Sequence, residues 1–196
     1  MFTCLNIPVM PLILQLKLFM SRLVYIFLML TLGYQSQAQQ KLKPVADSSK
    51  VQFTIKNFGI NANGQLSGLK GEILFDHKKL AASNFDITVD VSSINTQNTK
   101  RDNHLRAPDF FDAPKYPQIR ITGKPFAAGP NAYVLKGNLT IKNVTRPVEI
   151  PFTVARQGSG LLFSGSFRIN RLDYTIGGKS ATMADELSID LKVVAR

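Results

Sequence analysis

Between Phe85 and Val91 the chain reads FDITVDV, in which Phe85, Ile87, Val89 and Val91 alternate without exception with Asp86, Thr88 and Asp90. A period of two sends successive side chains to opposite faces of a strand, so this segment reads as a strand with one apolar and one wet face. The same period returns in Val51, Phe53 and Ile55, and again in Leu69, Gly71, Ile73 and Phe75, which share a face of a strand from Leu66 to Phe75. It continues in Ile119 and Ile121, and in Tyr133, Leu135, Gly137, Leu139 and Ile141. Val148, Ile150, Phe152 and Val154 follow, then Leu161, Phe163, Gly165, Phe167 and Ile169, and last Leu187, Ile189, Leu191 and Val193. Phe58-Gly59 to Gly64 reads as a turn, and Asp76 to Ser83 as a polar connection with room for one turn of helix. Pro147 and Pro151 fall on the opposite parity of their strand, where a missing amide donor predicts an edge or a bulge.

No long amphipathic helix separates these segments, which excludes parallel βαβ architecture on connection length. About eight antiparallel strands in roughly 150 residues make either a sandwich or an up-and-down barrel. Eight strands enclose an interior that side chains just fill, or that holds one small ligand. The inward face carries Phe53, Ile55, Phe75, Phe85, Ile87, Val89, Ile119, Ile121, Tyr133, Leu135, Leu139, Ile150, Phe152, Phe163 and Phe167. No ionisable residue stands on that face in mid-strand, which argues against hydrolytic or metal chemistry inside. Composition alone leans toward a solid core over an apolar pocket.

The first 38 residues have another character. Leu23 to Leu32 is a ten-residue apolar run, followed by Ser36-Gln37-Ala38, small residues at the −3 and −1 positions of a secretory cleavage site. Residues 1–38 are therefore expected to be a signal peptide, with Met20-Ser21-Arg22 as an alternative start, residues 39–46 a polar leader, and residues 47–196 the domain. A membrane anchor is the competing reading, because Pro8 to Phe19 is also apolar. Pro11, Lys17 and Arg22 interrupt it, however, and leave no clean span of about 20 apolar residues. The only cysteine, Cys4, precedes the apolar run, so a chain beginning at Gln39 has neither a disulfide framework nor a cysteine metal site.

Of 24 basic and 13 acidic side chains only Lys17 and Arg22 precede Gln39, which leaves the rest with 22 against 13, a net charge of +9. Such a balance favours anionic partners: lipid head groups, phosphates or nucleic acid. For an exported protein nucleic acid is the weakest of these, and no RNP, zinc-finger or basic-helix pattern supports it. A transient contact with a membrane surface fits the charge. The basic residues are scattered, as on any solvated basic surface, and the oligomeric state, a dimer included, is left open.

One stretch breaks the alternation: Asn98 to Pro117, NTKRDNHLRAPDFFDAPKYP. Thr99 with Asp102 resembles a capping box, with Asn98 as the cap if the helix begins one residue earlier. Arg101, His104 and Leu105 then share a helical face. Pro108 ends that turn, and Asp109-Phe110-Phe111-Asp112 sets two aromatics between acids. The segment is expected to cap one barrel end, with Arg101, His104 and Arg106 presenting donors at the rim. The plainer readings are a structural histidine, loop-fixing ion pairs of Arg101 with Asp102 or Arg106 with Asp109, and phenylalanines that close a core. With His77 the only other histidine, no local spacing supports a metal site. Asn138-Leu139-Thr140 and Asn143-Val144-Thr145 match the glycosylation sequon only weakly.

Arg101-Asp102-Asn103-His104-Leu105-Arg106, with Asp109-Phe110-Phe111-Asp112 and Tyr116-Pro117, resembles the signature of the YceI-like family of bacterial periplasmic polyisoprenoid-binding proteins. The resemblance extends to Phe58-Gly59, Gly71 to Asp76, Ser93-Ile94-Asn95-Thr96, Leu139 to Lys142 with Val144 to Pro147, and Asn170-Arg171-Leu172-Asp173-Tyr174, and covers residues 47 to 196. It implies an all-β fold, an eight-stranded antiparallel up-and-down barrel of extended lipocalin-like form, with a short helical segment near residues 98–112. The inward residues then line a tunnel, which reverses the leaning toward a solid core. The mouth would be framed by Arg101, His104, Leu105, Phe110, Phe111, Asn170, Arg171 and Asp173.

The function implied is that of a periplasmic, exported carrier of a long-chain isoprenoid or similar amphipathic lipid, not an enzyme, with no cofactor or metal beyond the bound lipid. The alternatives are a hydrolase using Asp102 and His104, and a solid-core structural or adhesion β-sandwich. The sequence departs from the family pattern at His77, where proline is common, and at Asn143 and Thr175, where glycine is usual. The first strand also ends Lys56-Asn57-Phe58-Gly59 without the histidine often found there.

Overall fold

The computed structural model describes residues 41–196; the expected signal peptide, the start at Met20 and Cys4 lie outside the described residues. In chain order the strands are β1 (Lys41–Leu42), β2 (Lys50–Asn57), β3 (Ile60–Leu74), β4 (Asn84–Asn95), β5 (Gln118–Gly129), β6 (Ala132–Ile141), β7 (Val144–Gln157), β8 (Gly160–Asn170) and β9 (Met183–Ala195), with one α-helix, α1 (Thr99–Arg106), between β4 and β5. The sheet runs β1-β3-β2-β9-β8-β7-β6-β5-β4, all antiparallel, and a further β3–β4 pairing closes β2 to β9 into an eight-stranded barrel. The expected barrel is what forms, and the sandwich is excluded.

The ladders keep the apolar parity on one side except toward the strand ends, where Arg146 of β7, exposed, takes the inward parity that the alternation predicts to be free of ionisable residues. Phe85, Ile87 and Val89 on β4 lie opposite Gly123, Ile121 and Ile119 on β5, and Tyr133, Leu135 and Leu139 on β6 lie opposite Phe152, Ile150 and Arg146 on β7. The β7–β8 pairs run from Phe152 opposite Gly165 to Gln157 opposite Gly160, so the first half of β7, with Pro147 and Pro151, has no ladder partner on that side. The prolines thus stand on a local edge, as their missing amide donors require.

Two boundaries differ from expectation. The segment expected as a polar leader is tied to the barrel: Lys41 and Leu42 pair with Leu74 and Ile73, and Leu42 is buried. A two-residue strand is too short to show a period in sequence. The turn expected over Phe58 to Gly64 is only two residues long, Phe58-Gly59, and β3 begins at Ile60. Both turn residues have positive φ, 51° and 76°, the signature of a tight I′ hairpin.

In an up-and-down barrel alternate connections gather at the same end. The β3–β4, β5–β6 and β7–β8 connections share one end, where Phe75, Phe85, Tyr133, Phe152 and Phe163 meet in mostly edge-to-face contacts with centroids 5.2 to 6.4 Å apart. The β2–β3, β4–β5, β6–β7 and β8–β9 connections share the other end, and α1 lies there.

Candidate functional site

Above the aromatic cluster the barrel is hollow. A cavity of about 240 Å³ runs from Phe85, Phe152 and Phe163 toward the end that carries α1, and its wall is almost wholly Ile, Leu, Val and Phe. Of the residues expected to line a tunnel, Phe53, Ile55, Phe85, Ile87, Val89, Ile119, Ile121, Leu135, Leu139, Ile150, Phe152, Phe163 and Phe167 do so. Phe75 and Tyr133 do not reach it; they belong to the aromatic floor, at 5.2 Å from each other. The wall also takes Leu66, Leu69, Ile73, Ile169, Leu187 and Leu191, whose alternation marks them inward, and Asn57, Ala62, Ile176 and Met183, which no pattern marks. Where the wall is apolar it offers no partner to a buried polar group, so that part of the cavity suits a hydrocarbon tail, and the polar lining is confined to a few residues such as Asn57, Asn63, Thr96 and Arg101.

The mouth is framed by α1 and the two loops beside it. Asn98 caps α1 by accepting from the Arg101 amide at 3.0 Å, so the cap is Asn98 and not the Thr99 of a capping box. The Asp102 carboxylate is buried and accepts from the Thr96 amide at 2.8 Å and from the Thr96 hydroxyl. Burial of Asp102 disfavours its charge, yet these two hydrogen bonds and the Arg106 and Arg101 cations outweigh it and hold the carboxyl below its ordinary value. Arg106 donates to the Ser92 and Ile94 carbonyls at 2.9 and 2.7 Å and pins the helix to β4. The loop is therefore fixed by backbone carbonyls and Thr96, not by the ion pairs that the charges suggested.

Leu105, Phe110 and Phe111 reach the cavity from above, as expected of a cap. Arg101 lines it too, with its guanidinium donating to the Thr96 hydroxyl and carbonyl, both at 2.8 Å. His104 does not: its ring faces solvent, 2.9 Å from an Asp109 carboxylate oxygen, with Phe110 packed edge-on at 4.8 Å. Asp102 faces Thr96 and His104 faces Asp109, so the pair that a hydrolase would need is not formed.

The second signature segment is structural. Arg171 touches the cavity but is only 1% exposed, and its guanidinium donates to the carbonyls of Ala184, Ile176, Gly178 and Met183 and to Asp185 Oδ1 at 2.9 Å. Every guanidinium nitrogen is engaged by the β8–β9 connection or the first residues of β9, so it presents none at the rim. Asn170 caps the short 3-10 turn that follows by accepting from the Leu172 amide at 2.9 Å, and Asp173 is exposed; neither lines the cavity. Among the described residues no three His, Cys, Asp or Glu side chains gather as a metal site.

Residues 42–195 match the family model of the YceI-like domain. The chain is 30% identical to Protein YceI of Escherichia coli O6:H1 over 171 residues, 87% of this chain and 82% of that protein. Its fold is similar to that of BcnA from Burkholderia cenocepacia, with a TM-score of 0.74 and 29% identity over 78% of this chain and all but 1% of the other. A polyisoprenoid-binding domain from Saccharophagus degradans shares the fold at a TM-score of 0.65, covering 79% of this chain and 97% of that one, with 14% identity.

Proposed function

The chain belongs to the YceI-like domain family, and from that premise we propose that it is a binding protein, not an enzyme, which carries a long-chain isoprenoid or similar amphipathic lipid in the barrel. The observation that carries this reading is the apolar cavity with a floor of aromatic rings at one end and a mouth at the other. The shared fold of the Saccharophagus degradans polyisoprenoid-binding domain supports it. Export to the periplasm through residues 1–38 belongs to the same reading, since a lipid carrier is useful where membrane lipids must cross water.

The tail dominates the energetics. Burying about 40 carbons at roughly 0.8 kcal/mol each gives on the order of 30 kcal/mol gross, above the practical ceiling of about 18 to 21 kcal/mol. Association and ordering must offset much of it. The mouth then selects among head groups without setting affinity. Arg101, which gives Thr96 only its Nε and Nη2 donors, and Asn57 are the polar candidates there, whereas His104 does not reach the cavity and Arg171 has all its guanidinium nitrogens engaged by carbonyls and Asp185. Organic extraction of the purified protein with native mass spectrometry tests the reading: a stoichiometric apolar lipid is expected, and a protein that carries none from its native host would overturn it.

A further inference from the structure

The inner face of β3 does not stop at the rim. Leu66, Gly64, Ala62 and Ile60 lie opposite Val51, Phe53, Ile55 and Asn57, so they share the inward parity, yet Ile60 is 73% exposed. Next to it Phe58 is 74% exposed at the tip of the hairpin. The apolar wall of the cavity thus runs out into water and ends in two bulky side chains. Phe58 also holds φ at +51°, a region where a bulky residue is a rare outlier and where Asn or Gly is ordinary. A backbone outlier at an exposed tip, carrying a ring that touches little of the fold, points to a use outside the fold.

The flanks are basic. Lys56 is two residues before Phe58, and the Phe58 amide donates to the Thr182 carbonyl at 2.8 Å, which ties the tip to the loop carrying exposed Lys179. Two exposed apolar side chains on a tip with Lys56 beside it and Lys179 on the loop tied to it fit a bilayer interface bearing negative charge: rings and branched chains enter the acyl boundary while ammonium groups stay at head-group level. We propose that the β2–β3 tip is a membrane-docking element, in which Phe58 and Ile60 insert into a surface containing anionic phospholipid and set the cavity mouth against it. Docking rests on the lipid-carrier reading for its use, since it gives an emerging tail an apolar path between bilayer and bore.

Flotation of the purified protein with vesicles tests this. Wild type is expected to float with vesicles of phosphatidylethanolamine and phosphatidylglycerol, and less with phosphatidylcholine alone or at high salt. Phe58→Asn with Ile60→Thr should reduce that partition at least about tenfold, and Lys56→Glu with Lys179→Glu should weaken it on the anionic vesicles only. Asn suits a positive φ, so the first variant should melt no lower than wild type and should take up the apolar dye N-phenyl-1-naphthylamine equally well. No flotation of wild type, equal flotation of the tip variant, or a wild-type dimer dissolved by the tip substitutions would overturn docking. If neither protein takes up dye while wild type still floats, the carrier reading falls and docking stands.

Discussion

Phe53 on β2 lies directly opposite Gly64 on β3, and its ring occupies the ground that a Cβ on Gly64 would need. Glycine there lets the ring lie flat along the wall it lines. Gly64→Val should drive the Phe53 ring into the bore. Dye or lipid uptake is expected to fall at least about tenfold while circular dichroism still reports a folded barrel, and unchanged uptake would show that the ring has another way out.

Arg171 should behave as a structural residue. Arg171→Ala removes the guanidinium bonds that tie the β8–β9 connection to the start of β9 and leaves the buried Ile176 carbonyl and the part-buried Ala184 and Gly178 carbonyls without that donor. A loss of about 3 kcal/mol or more is expected, and for a domain of this size roughly 6 to 12 °C in melting temperature. The head-group profile of the lipid retained by the folded fraction should not change.

Thr175 stands at φ +54°, directly after the 3-10 turn, a left-handed conformation that β-branched residues avoid. Thr175→Gly should relieve it and stabilise the protein by about 1 kcal/mol, seen as a rise of roughly 2 to 4 °C in thermal unfolding. A fall in melting temperature would mean that the methyl and hydroxyl contribute more than the backbone conformation costs.

Asp102 should register in acid. Its carboxyl is held below the ordinary value of 3.8, so its contribution is complete above that pH and is lost as pH falls through the folded-state value. Asp102→Asn should cost roughly 1.5–3 kcal/mol at neutrality. Urea unfolding from neutrality down to about pH 2 should show the gap between wild type and variant constant at first, narrowing only below 3.8.

Phe75 packs edge-on against Phe85, Tyr133, Phe152 and Phe163. Phe75→Ala should destabilise by about 3 kcal/mol or more and open space beneath the cavity. If the variant still folds, its extracted lipids should shift toward longer tails, and an unchanged length profile would show that the floor is not what limits the chain.

The alternation legible in Phe85 to Val91 carried most of the wall, because parity alone decides which side chains face inward. Parity is silent about depth. Phe75 and Tyr133 face inward as read, but they sit at the level of the floor, below the cavity. Asn57 and Met183 escaped because a polar or unpatterned residue at a strand end looks like loop, although both reach the mouth. Charge type alone marks Arg171 and His104 as mouth residues, and a sequence shows that a donor exists without showing what accepts from it. Only the fold reveals that one is closed in by carbonyls and the other turned to Asp109. Asn61, Asn63 and Gly64 look like turn residues, yet pairing with Lys56, Thr54 and Phe53 holds them in β3.

The aromatic floor also has a kinetic side. A tail held in a bore blocked at one end leaves only by being drawn back through the mouth, one segment after another. Each methylene that reaches water adds about 0.8 kcal/mol to that climb, roughly a fourfold slower escape at room temperature. Dwell time therefore lengthens geometrically with the tail and hardly responds to the head. For a chain of tens of carbons unaided release into water is too slow to serve as delivery, and turnover falls to whatever apolar surface meets the tail as it emerges.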